Sequence, residues 1–153
     1  MDNFTFYSPT YFAFGKGTEN ETGAYVKKYG GTKVLIHYGG GSAKRSGLLD
    51  RVEASLTKEG ISYVELGGVK ASPLSDLVYE GIELARKEKV DFILAVGGGS
   101  VMDSAKGIAL GAVYEGDFWD FYCGKTGPVT EALPVGCVVT IAASGSEGST
   151  DSV

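Results

Sequence analysis

Two glycine runs ending in serine are where this sequence could do chemistry. The stronger is Ala95-Val96-Gly97-Gly98-Gly99-Ser100-Val101-Met102-Asp103-Ser104-Ala105-Lys106, in which an apolar run passes through glycines into a helical pattern. Glycines let backbone approach a ligand, and the following helix aims its first free amides, with about half a positive charge, at whatever lies in the loop. The chemistry is anion binding, with pyrophosphate as the fitting anion and no arginine required. Ser100 either caps the helix or donates its hydroxyl to the phosphate. The spacing departs from Gly-x-Gly-x-x-Gly, since Met102 holds the last position, and a tight turn without ligand fits the same residues.

The second run is Tyr38-Gly39-Gly40-Gly41-Ser42-Ala43-Lys44-Arg45. Ordinary dinucleotide folds place an acid hereabouts against the adenosine ribose hydroxyls, and this run has none. Open backbone amides, Ser42 and the cations Lys44 and Arg45 suit a ribose 2′-phosphate instead, favouring NADP(H) over NAD(H); a flexible turn with two solvated cations is the alternative. A third stretch, Thr140 to Thr150 with Ser144-Gly145-Ser146-Glu147, is small and hydroxyl-rich and could line a nucleotide or form a plain surface loop. Asp103 falls in the first turn of the glycine-loop helix, where a nearby phosphate would repel it, so it is expected to face a ribose hydroxyl or the reaction centre; simple helix-terminus electrostatics is the other account. His37, the sole histidine, reads as structural, and no His-rich zinc or iron site can be built from this chain alone. Cys123 and Cys137 read as incidental thiols, and Phe118, Trp119, Phe121 and Tyr122 as packing residues.

Four short apolar runs must carry these loops: Lys33–Tyr38, Ile61–Leu66, Phe92–Val96 and Val135–Ile141. Between them lie helical stripes, Leu48, Leu49, Val52, Leu56 and Leu74, Leu77, Val78, Ile82, Ala85. Thr18-Glu19-Asn20-Glu21 has a capping-box pattern, Ser72-Pro73 a helix-start pattern, and Gly60 suits a helix stop. Strands alternating with helices predict an α/β class: a doubly wound, mostly parallel, Rossmann-like sheet with helices on both faces. The aromatic run from Phe4 to Gly15 is expected to add an N-terminal edge strand. No repeat or linker divides residues 1–153, so one dinucleotide-binding domain is expected, although the end at Val153 offers no closing element.

The composition limits the partners. Fourteen Lys plus Arg against nineteen Asp plus Glu give a net charge of −5, which provides no general footprint for nucleic acid or an anionic membrane. No run approaches the roughly 20 apolar residues of a membrane span, and the Met1-Asp2-Asn3-Phe4 start lacks a leader pattern, so a cytoplasmic location is the expectation.

Taken together, Phe12-Ala13-Phe14-Gly15-Lys16-Gly17, Gly39-Gly40-Gly41-Ser42 with Lys44, Gly97 to Val101 with Asp103 and Ala105-Lys106, Gly116-Asp117-Phe118-Trp119-Asp120, and Ser144-Gly145-Ser146-Glu147 resemble the iron-containing, group III alcohol dehydrogenases, in particular their NADPH-dependent butanol dehydrogenase branch. The resemblance implies that Gly97, Gly98, Gly99, Ser100 and Val101 hold the pyrophosphate and that Gly40, Gly41 and Ser42 accept the 2′-phosphate. It places Thr140, Ala142 and Ser144 along the adenine and nicotinamide ribose region, Pro73 near the adenine and Asp103 near the nicotinamide. It further implies an all-helical second domain with one aspartate and three histidines on Fe²⁺ or Zn²⁺, a homodimer, and a primary alcohol or aldehyde substrate. None of those metal ligands is present in this chain, so the fragment alone should position a cofactor without catalysing. A stand-alone dinucleotide-sensing module and a phosphotransferase using the glycine loop for ATP are the alternatives, the latter without the usual Gly-Lys-Ser/Thr signature.

Overall fold

The structure, a computed structural model, describes residues 3–153; Met1 and Asp2, part of the run read above for a leader, lie outside the described residues. Four strands, β1 (Lys33–Gly39), β2 (Ser62–Val69), β3 (Phe92–Gly97) and β4 (Val135–Val139), form one parallel sheet in the order β2-β1-β3-β4. The chain winds outward from β1 to β2, then crosses back to β3 on the other side of β1. The strand order therefore reverses between β1 and β3, and their carboxyl ends open the crevice where such sheets hold ligands.

Side-chain alternation on the strands divides the interior into two cores. Val34, Ile36 and Tyr38 of β1, with Leu94 and Val96 of β3, pack against Val26 of α1 (Thr22–Lys28), Ala43 of α2 (Ser42–Arg45) and Leu49, Val52 and Leu56 of α3 (Leu48–Lys58). On the other face Leu35, Ile93 and Ala95 meet Val78, Ile82 and Ala85 of α4 (Ser75–Lys87) and Met102, Ala105 and Ile108 of α5 (Gly99–Val113). Strands buried on both sides favour apolar residues along their length, which explains the nearly continuous runs in β1 and β3, with His37 the buried polar exception. Helices α4 and α5 approach closely through small residues: a methyl added at Gly81 or Gly111 would overlap Ile108 or Ile82. A short α6 (Trp119–Tyr122) follows, with Phe118 buried beneath it and Trp119 exposed but stacked on Tyr122 at 5.5 Å.

The helix stop at Gly60 is realised in full. Its φ of 74° carries the chain out of α3, the Gly60 amide donates to Thr57 and the Ile61 amide reaches back to Leu56. Two expected helix starts differ. Thr18 to Glu21 form a single 3₁₀ turn in which the Thr18 hydroxyl donates to Gly15 rather than capping an α-helix. Ser72 has φ 60°, so the chain turns there and α4 begins only at Ser75, leaving Leu74 outside the helix and exposed. The N-terminal run also adds no strand. Among the described residues, 3–14 pair with neither sheet edge: Tyr11 packs on Tyr25 of α1 at 5.4 Å, away from the strands, and Phe4, Phe6 and Phe14 face solvent.

Candidate functional site

The strand registers bring the three chemically distinctive loops together. Gly39 stands opposite Val69, Tyr38 opposite Val96, and Gly97 opposite Val139, so the chain leaves β1, β3 and β4 at one level of the sheet. A register irregularity between His37 and Gly39 marks the exit from β1, the sort of local break that re-aims backbone beside binding sites.

The Gly97–Ser100 turn forms the centre. Gly98 is extended, its carbonyl accepts the amides of Val101 and Met102, and α5 begins at once with Gly99. Among the described residues nothing accepts from the amides of Gly98, Gly99 or Ser100, and these three residues are only partly buried. Three outward-pointing donors at the head of a 15-residue helix make an anion cradle. Space for a ligand is present over Gly98, where an added Cβ would meet nothing within 4 Å. At Gly99 an added Cβ would stand 2.7 Å from Ser144 Oγ, so the loop after β4 closes directly on the cradle. Thr140 extends β4's pairing by donating its amide to Gly97 at 3.0 Å, while Ala142 and Ser144 remain exposed beyond it. Val101 is buried against the core and wedges the turn from below.

At the β1 exit, Gly40 faces open space, and the amides of Gly40, Gly41 and Ser42 likewise have no acceptor among the described residues. Gly41 has φ 124°, and the Arg45 guanidinium folds back until Nη1 is 3.2 Å from where a Gly41 Cβ would be. Lys44 is 3.8 Å from the Glu65 carboxylate and lies over the Tyr38 ring, so its charge is already partly answered. Pro73 sits in the β2–α4 connection on the β2 side, and a cavity of about 230 Å³ lies close by, lined by Gly68, Lys70, Leu74, Asp76, Leu77 and Glu80.

Asp103 lies on α5 beyond its first turn and faces the segment after β4. Its carboxylate accepts from Ser146 Oγ at 2.6 Å and from the Val153 amide at 3.3 Å, with Lys106 Nζ 4.0 Å away. Lys106 in turn donates to the carbonyls of Ser146 and Asp151 and to Ser146 Oγ, at 2.6–2.8 Å. The Ser152 hydroxyl completes the attachment by donating to the Asp103 carbonyl, and Tyr122 meets the same hydroxyl at 2.7 Å. Asp103 and Lys106, one turn apart on α5, therefore pin residues 146–153 beside the cradle. Sequence reasoning left Ser146 and Lys106 without a role; the i, i+3 spacing of an acid and a cation was the available signal.

His37 is fully buried and neutral. Burial pushes its pKa down to about 4 against the opposing effect of the hydrogen bond it donates to the Leu66 carbonyl, consistent with the structural role read from sequence. Burial likewise pushes the Cys137 thiol up to about 11, against the pull of nearby Lys106, leaving it a poor nucleophile.

The fold and its crevice define a doubly wound α/β domain with unpaired helix-start amides at its switch point. More specifically, the chain belongs to the iron-containing alcohol dehydrogenase family, whose model matches residues 9–153. It is 49% identical over its whole length to a probable NADH-dependent butanol dehydrogenase 2 of Bacillus subtilis and 39% identical to the NADPH-dependent aldehyde reductase YqhD of Escherichia coli, spanning 39% of the length of each. Among solved structures, the NADH-dependent butanol dehydrogenase A of Thermotoga maritima superposes with a TM-score of 0.91 at 51% identity, over 95% of this chain and 36% of that one. Among the described residues no helix is long and apolar enough to cross a membrane.

Proposed function

We propose that residues 1–153 form the dinucleotide-binding domain of a metal-assisted, butanol dehydrogenase-like alcohol dehydrogenase that interconverts primary alcohols and aldehydes with NADP(H). The observation that carries the reading is the set of unpaired amides at Gly98, Gly99 and Ser100 at the sheet's switch point, with open space over Gly98. In this reading Gly97 to Val101 hold the pyrophosphate, and Thr140, Ala142 and Ser144 line the adenine and nicotinamide ribose region. Gly40, Gly41 and Ser42, with Arg45 folded beside them, accept the 2′-phosphate, while Pro73 borders the adenine. Asp103 holds the 146–153 segment at the nicotinamide end.

When bound, the nicotinamide supplies hydride transfer, and the chain's own residues supply position and exclusion of water. Iron or zinc does not fit the described residues: no three His, Cys, Asp or Glu side chains cluster, and both His37 nitrogens are engaged. We place the metal ligands in a further, all-helical domain of a cytoplasmic homodimer, and derive no step through the metal from this chain.

NADH is the second reading, favoured by the pairing of Lys44 with Glu65, which removes part of the charge a 2′-phosphate would need, and by relatives named for NADH. Calorimetric titration of the chain with NADPH and NADH separates the two. Charge-assisted contacts to the 2′-phosphate predict NADPH tighter by about 1–2 kcal/mol. Equal or tighter NADH binding overturns the NADP(H) preference, and binding of neither overturns the dinucleotide reading.

A further inference from the structure

His37 is a polar residue where an apolar one would serve the core, and both its ring nitrogens are used. Nδ1 lies 2.8 Å from the Leu66 carbonyl on β2, and Nε2 lies 2.8 Å from Ser104 Oγ on α5. A carbonyl can only accept, so Nδ1 carries the proton and Nε2 accepts the Ser104 hydroxyl. One imidazole thus joins β1, on which it sits, to β2 and to α5. Apolar packing such as that of Leu35 on the same face allows a helix to slide by fractions of an ångström along the sheet, whereas two directed bonds fix its position.

The bridge stands between the two glycine loops. His37 is two residues before Gly39, and Ser104 is one turn beyond Ser100 on the helix that begins the cradle. A dinucleotide held by both loops needs their separation fixed, because misplacement of one end costs contacts at the other. We propose that His37, acting through Ser104, is a positioning residue that sets the distance between the Gly39–Ser42 loop and the Gly97–Ser100 cradle for a ligand spanning both. The proposal rests on the dinucleotide reading above and concerns neither the metal nor hydride transfer.

A ligand that reaches both loops should therefore respond to the bridge, and one that fills only the cradle should not. NADPH is the spanning probe and inorganic pyrophosphate the cradle probe, titrated by calorimetry and by ³¹P NMR respectively. Ser104→Ala, which removes one atom, and His37→Asn, which keeps the donor toward Leu66, are each expected to raise the Kd for NADPH about 5-fold or more and to change that for pyrophosphate less than about 2-fold. Combining them should add little to either single change, and Ser104→Thr, retaining the hydroxyl, should restore binding. Should one variant not fold, the other, with hydrogen exchange at the Val101 and Met102 amides that donate to Gly98, measured in whichever variant folds, decides the matter: faster exchange there supports the bridge. NADPH binding unchanged while thermal stability falls overturns the positioning role and leaves only a structural one, and equal losses for both probes overturn it in favour of local damage to the cradle. Failure of the unsubstituted chain to bind either NADPH or NADH overturns the dinucleotide reading itself, and a chain that takes only NADH is tested with NADH as the spanning probe.

Discussion

The buried imidazole should make this fold sensitive to mild acid in a calculable way. In the unfolded chain His37 titrates near the ordinary value of about 6.5, whereas burial lowers it to about 4 in the folded chain. Between those values the unfolded chain takes up a proton that the folded chain refuses, so the contribution is fully present above pH 6.5 and is lost as pH falls toward 4. At about 1.4 kcal/mol for each pKa unit, roughly 3 kcal/mol of stability is at stake, a large fraction of the usual 5–15 kcal/mol for a domain. Urea unfolding of the unsubstituted chain and of His37→Asn, from pH 7 to pH 4, isolates the term, because carboxylate titrations are common to both. The parent should be the more stable at pH 7, by about 1 kcal/mol for its bond to Ser104, and the less stable near pH 4. Parallel stability curves would refute the reasoning, for they would mean that the imidazole titrates alike in both states.

Three further outcomes follow from the packing and the site. Gly99→Ala places a methyl 2.7 Å from Ser144 Oγ at the cradle's edge, and should weaken NADPH binding at least about 10-fold in calorimetry with the far-ultraviolet circular dichroism unchanged. Arg86→Ala removes a guanidinium that donates to the carbonyls of Gly111, Ala112 and Tyr114 at the end of α5, and should cost about 1–3 kcal/mol in urea unfolding. Lys106→Met keeps the stem but deletes three donated bonds to Ser146 and Asp151, and should raise hydrogen exchange across residues 146–153 without raising it in β3.

What was legible in the sequence was whatever depends on neighbours along the chain. Nearly continuous apolar runs located β1 and β3 to within a residue at either end, because burial on both faces leaves His37 as the one buried polar side chain within them. The turn from β3 through Gly97 and Gly98 into α5 was legible for the same reason, since strand, glycines and helix are consecutive. Contacts between distant segments were not. The bonds from His37 to Ser104 and from Lys106 to Ser146 join residues 67 and 40 positions apart, and they become visible only once the strand order is known. Asp103 shows the difference: read from sequence as a first-turn carboxylate, it lies beyond the first turn of α5, and the segment whose Ser146 hydroxyl it receives comes after β4. The N-terminal aromatics misled because an extended, apolar pattern states what a strand could bury and says nothing of whether an edge with a covering layer awaits it.

The central claim is that one dinucleotide lies across the Gly39–Ser42 loop and the Gly97–Ser100 cradle. Backbone amide chemical shifts recorded while NADPH is titrated into the ¹⁵N-labelled chain test it most directly, since the unpaired amides are themselves the proposed ligands of the phosphates. The largest shifts should fall on Gly40, Gly41 and Ser42 and on Gly98, Gly99 and Ser100, saturating together with a single Kd. Saturable shifts that fall elsewhere and leave these six amides unmoved would contradict it.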